Sequence, residues 1–140
     1  MKIAICRILG NELPFRDTPG SKLRSLQYIL EQQFLGNEQN IWVLNHIFLP
    51  EYRNQVVKHL EIYGQEFHEL KFDPKVYAAL QNRDSKISYA IHVNQARNYG
   101  IKLAQDQDYD FVACLDQDCF FTKDMWDEIV NNIEADQKTN

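Results

Sequence analysis

Four short apolar runs, separated by stretches of helical spacing, constrain this chain more than any other feature. Residues 2–8, 41–45, 66–72 and 111–115 read as strands. Between them apolar side chains recur at helical intervals: Leu23, Leu26, Leu30 and Phe34 over residues 22–34, then Val56, Leu60 and Tyr63 over residues 51–63. The pattern returns as Ala90, Val93, Ala96, Gly100 and Ala104 over residues 88–105, and as Trp126, Ile129, Val130 and Ile133 after Thr122. Strand and helix alternating at these intervals predict a parallel sheet with helices packed against it. Ser21 is the expected N-cap of the first helix, Gly36-Asn37 its stop, and Pro50 and Gly64 bracket the second. Residues 74–80 suit a short helix, whereas residues 81–86 are polar and read as a mobile loop.

One run ends in chemistry. Phe111-Val112-Ala113-Cys114-Leu115 leads straight into Asp116-Gln117-Asp118. A continuous apolar run marks a strand covered on both faces, and ligands of open α/β sheets lie beyond the carboxyl ends of such strands. Two carboxylates one residue apart repel unless a cation lies between them or the chain turns. Hard divalent cations take such oxygens together with substrate phosphates, which points to a nucleoside diphosphate. The structural alternative is an acidic turn in which Asp118 or Thr122 caps the next helix.

Length and charge narrow the classes. One domain is expected over residues 1–134, followed by a polar tail at 135–140, and 140 residues bury about two-thirds of the surface of the unfolded chain. Fifteen Lys and Arg against twenty Asp and Glu leave a net charge of −5, so no nucleic-acid surface is expected. No signal peptide and no membrane segment are apparent. Cys6, Cys114 and Cys119 lack metal-site spacing and read as reduced thiols of a cytoplasmic protein.

Three pieces together resemble the nucleotide-binding half of a family-2 glycosyltransferase with the GT-A fold. They are Asn11-Glu12 followed by Leu23-Arg24-Ser25-Leu26, the helical stretch from Asn94 to Ile101, and the run from Phe111 to Asp118. The resemblance implies a three-layer α/β/α Rossmann-like fold whose four parallel strands take the order 3-2-1-4. It implies a UDP-sugar donor bound through Mn²⁺ or Mg²⁺, and it places Arg7, Ile8, Leu9 and Asn11 at the nucleobase. Asn45 stands where the family commonly has an aspartate against uracil. Ser88 and Tyr89 match the start of the helix that faces ribose and phosphates. Asp116, Gln117 and Asp118 match the family's Asp-X-Asp, with Asp118 and Asp116 as metal ligands.

Arg97 is expected either to contact phosphate or to pair with Asp116 or Asp118. No residue matches the family's acceptor-side catalytic base, so donor binding is the firmer expectation, with transfer or donor hydrolysis following from it. An unpaired fourth strand at the sheet edge predicts a homo-oligomer, such as a dimer. Two other readings stand beside this one. A nucleotidyltransferase would need a Gly-rich basic signature directly after the first strand, and here Pro19-Gly20-Ser21-Lys22 comes about ten residues late. A non-catalytic assembly domain would show no nucleotide effect on melting.

Overall fold

The computed structural model describes residues 1–32 and 38–139. Along the chain run β1 (Ile3–Leu9), α1 (Ser21–Glu31), β2 (Glu38–Asn45), α2 (Pro50–Ile62), β3 (Phe67–Leu70), α3 (Pro74–Ala79), α4 (Arg83–Ile91), α5 (Val93–Asp106), β4 (Phe111–Leu115) and α6 (Lys123–Thr139). The four strands are all parallel, in the order β3-β2-β1-β4. This is the order and orientation expected from the sequence.

Every residue of β1 is buried, because alternate side chains feed different layers. Ala4, Cys6 and Ile8 join Ile41 and Val43 of β2 against Ala96 and Ala104 of α5. On the other face Leu9, Trp42 and Leu44 pack on α1 and α2, while Ile3 and Ile5 meet Trp126 and Val130 of α6. The fold is therefore helices, sheet, helix. Small residues on α5 bring it close to the sheet: a Cβ built on Gly100 would run into the Cys6 sulfur. Strand register then sets the working edge. Leu115 lies opposite Arg7 and Leu44 opposite Leu9, so Asp116 leaves β4 level with Ile8, and Asn45 ends β2 level with Gly10.

Several local features differ from the sequence reading. The helix expected over residues 88–105 is two helices, with His92 in the left-handed region (φ 50°) at the junction. Residues 83–86, expected to be loop, form the first turn of α4, because the Asn82 side chain accepts a hydrogen bond from the Ser85 amide and caps it. Ser21 does not cap α1: the position belongs to Gly20, and the Glu12 carboxylate accepts from the Ser21 amide instead. The helix α6 continues to Thr139 through the residues read as a tail, since 134–139 contain neither Gly nor Pro and Lys138 suits a helix C-terminus. Thr122 does cap that helix, accepting from the Met125 amide at 3.2 Å. Phe34, Gly36 and Asn37 lie outside the described residues. Among the described residues no helix is long and apolar enough to cross a membrane.

Candidate donor site at the carboxyl edge of the sheet

A cleft of about 690 Å³ opens beyond the carboxyl ends of β1, β2 and β4, where the topology of an open parallel sheet puts ligands. Ile8, Asn11, Asn45, Arg97, Asp116, Gln117 and Asp118 line it, so seven of the eleven residues expected at a donor site come together there. Arg7, Leu9, Ser88 and Tyr89 do not line it.

The acidic pair sits on a turn pinned from beneath. The Cys119 amide donates to the Asp116 carbonyl at 3.0 Å, closing a turn over residues 116–119. Gln117, only 5% exposed, points inward: its amide nitrogen donates to the Lys22 carbonyl of α1 at 3.1 Å, and the Tyr52 hydroxyl lies beside it. Burial pushes that tyrosine up to about 12. From the other side Arg7, 4% exposed, donates through Nη1 to the Cys119 carbonyl at 2.6 Å. Its Nε has no partner, and burial lowers its pKa to about 10. An arginine inside an apolar strand is thereby explained: it grips the turn and does not line the cleft. With the middle residue buried and the end tied down, Asp116 and Asp118 are left exposed at the cleft.

Arg97, one residue beyond buried Ala96 on α5, pairs with Asp116 at 2.8 Å. Both side chains are substantially exposed, 41% and 62%, and surface pairs of this kind contribute about 0–1 kcal/mol. An incoming anion can open such a pair cheaply. Carboxylate oxygens of Asp116 and Asp118 and the sulfur of Cys119 lie within 4.8 Å of one another. The two carboxylates are hard oxygen donors suited to Mg²⁺ or Mn²⁺, whereas a thiol favours softer ions. Asp118 has no cationic partner among the described ion pairs, so it is the carboxylate free to take a metal.

Across the cleft the two asparagines brace the chain. Asn11 donates from Nδ2 to the His46 carbonyl (2.7 Å) and accepts at Oδ1 from the Phe48 amide (3.1 Å). Asn45 donates to the Ile91 carbonyl (2.8 Å), so its Oδ1 accepts from His92 Nδ1 (3.0 Å). The His92 ring stacks on His46 at 3.8 Å and 7°, and His46 Nδ1 donates to the Tyr89 carbonyl at 2.6 Å. Burial lowers the pKa of both imidazoles, and His46 lowers that of His92 further. These contacts account for the break between α4 and α5. They also hold Ile91 and Val93 at the cleft wall, while Ser88 is exposed on α4 and the Tyr89 hydroxyl accepts from the Asp73 amide.

The sequence reading missed Phe48, Ile91, Val93, Lys22, Arg16 and Asp17, all of which line the cleft. Two signals were there to be used. Lys22 opens a helix next to the ligand-edge loop, and Phe48 follows a strand that ends in a polar residue.

The family model of glycosyl transferase family 2 matches residues 73–140, a span that holds α3 through α6 with Arg97 and the Asp116-Gln117-Asp118 turn. No curated protein and no solved structure matches the chain.

Proposed function

We propose, from the match of the family-2 model to residues 73–140, that the chain carries a glycosyltransferase domain of this type and binds a UDP-sugar through a divalent cation at Asp118 and Asp116. The observation that carries this reading is the braced turn: Gln117 and Arg7 are buried so that the two neighbouring carboxylates face a cleft. Building a rigid support beneath exposed like charges serves no packing purpose. A cation neutralising them removes the repulsion.

In this reading Asp118, with Asp116, holds Mn²⁺ or Mg²⁺, and the ion supplies Lewis-acid stabilisation of the diphosphate leaving group. The protein's own residues do the rest. Arg97 exchanges Asp116 for a phosphate oxygen, keeping positive charge where negative charge grows. Ile8, Ile91 and Val93 wall the nucleoside side of the cleft, and Lys22 sits within reach of anionic groups on the α1 side. Donor binding is the function assigned, with sugar transfer or donor hydrolysis as its chemical outcome. The edge strand β4, whose Phe111 is exposed, suits pairing with a second copy.

The test is titration calorimetry with UDP, with and without Mn²⁺. Binding that requires the metal in the wild type and is lost in Asp118→Ala is expected. Equal binding with and without metal, unchanged by that substitution, contradicts the reading.

A further inference from the structure

Resting on the donor-binding reading above, we infer that the nucleobase is held by the face of Phe48 and is not read at its edge by Asn45 or Asn11. The two asparagines are the side chains best placed by sequence for edge recognition, yet both are engaged elsewhere. Asn45 and Asn11 are 3% and 8% exposed, and each amide already makes one hydrogen bond at its nitrogen and one at its oxygen to neighbouring protein groups. Turning either toward a base would strip the support from the 45–48 segment or from the junction between α4 and α5.

Phe48 has the opposite character. It lines the cleft while remaining 40% exposed. Its amide is fixed by Asn11 Oδ1, and its ring is backed by Phe72 at 5.4 Å. Phe72 in turn packs on Tyr89, Tyr77 and His46. A large apolar ring anchored at the backbone, supported behind and open in front is a stacking platform. Its position fits the length of a nucleotide. β2 and β4 flank β1, so their ends are separated by two strand spacings, roughly 10 Å. A diphosphate at Asp116 and Asp118 leaves a ribose over β1 and a base beside the end of β2, where Phe48 stands.

Stacking differs from edge recognition in its selectivity. Every base has a π face, so a platform tolerates different bases and contributes about 1–3 kcal/mol per base when probed by alanine substitution. An edge-reading site rejects the wrong partner by orders of magnitude. The experiment is calorimetry in saturating Mn²⁺ with UDP, GDP and inorganic pyrophosphate, on wild type, Phe48→Ala and Phe48→Tyr. Wild type is expected to bind UDP and GDP within about tenfold of each other, as a face-only platform allows. Phe48→Ala should weaken both nucleotides about five- to a hundredfold while leaving pyrophosphate affinity unchanged, and Phe48→Tyr should restore them. Nucleotide affinity unaffected by Phe48→Ala overturns the inference alone, as does an equal loss for pyrophosphate or a wild-type preference for one base beyond about a hundredfold. Failure of wild type to bind any of the three probes overturns the donor-binding reading, and this inference with it.

Discussion

Replacing Gly100 by alanine forces a collision that the structure specifies. The helix α5 rests on β1 through Ala96, Gly100 and Ala104, and the added methyl would fall far inside contact distance of the Cys6 sulfur, with the Cys6 Cβ at 3.5 Å. Cys6 is fully buried in the central strand, so its sulfur, which turns about a single bond, has little room to swing away. Overpacking of this kind costs about 1–3 kcal/mol, and the gain from replacing a helical glycine, roughly 0.5–1 kcal/mol, offsets part of it. A net loss of about 1–2 kcal/mol is expected, or about 3–6 °C in melting temperature at this chain length. Because Arg97 rides on the same helix, displacing α5 should also pull it from Asp116 and weaken nucleotide binding. Urea unfolding of Gly100→Ala, Cys6→Ala and the double variant separates the collision from everything else. Removing the sulfur makes room for the new methyl, so the double variant should lie within about 1 kcal/mol of wild type, a coupling of the size seen for touching residues. A Gly100→Ala protein as stable as wild type, or one equally destabilised in both backgrounds, would refute the close approach.

Three further outcomes follow from the site. Arg97→Ala should change stability by less than about 1 kcal/mol, because its pair with Asp116 is exposed, while calorimetry shows UDP affinity in Mn²⁺ falling about tenfold, the loss of one charge-assisted hydrogen bond. Arg7→Met keeps the bulk and removes the grip on the Cys119 carbonyl; relieving a buried charge offsets the lost bond, so urea midpoints should move little while metal-dependent UDP binding weakens. The His46 and His92 imidazoles are held neutral in the folded protein by pKa values below the ordinary one. The unfolded chain therefore takes up protons first, and the stability present above pH about 6.5 declines as the pH falls below it. Melting curves between pH 7.5 and 5.5 should show this slope in wild type and a shallower one in His92→Asn, which keeps a residue tolerant of the left-handed conformation.

The alternation of strands and helices was legible because it rests on long-period signals, whereas the strand order came from the resemblance to a known fold. Apolar runs such as residues 111–115 and the small-residue stripe of α5 have few alternative placements, although β4, expected to be covered on both faces, is only partly buried because it stands at the sheet edge. The acid-tipped strand was equally plain, since Asp116 and Asp118 follow β4 without a spacer. What remained hidden depends on contacts between distant segments. His92 interrupts a continuous helical pattern because Asn45 and His46, some 46 residues earlier, hold its ring, and no local residue announces that. Glu12 displaces Ser21 as the N-terminal partner of α1 by reaching across the loop. Asn11 and Asn45 illustrate the same limit: polar residues near a ligand edge look like binding groups in a sequence, and only the folded chain reveals them holding carbonyls. Gln117 looked like one more polar member of the acidic triplet, but it is the anchor that leaves its neighbours exposed.

The central claim is that the braced carboxylates share a cation with a nucleotide diphosphate. A crystal structure of the protein with UDP and Mn²⁺, collected at a wavelength where manganese scatters anomalously, tests it most directly. The expected result is one anomalous peak bridging the Asp118 carboxylate and the diphosphate oxygens, with Arg97 swung from Asp116 to phosphate and no peak in Asp118→Ala. A cleft without nucleotide at saturating UDP, or a diphosphate bound with the manganese absent from Asp116 and Asp118, would contradict it.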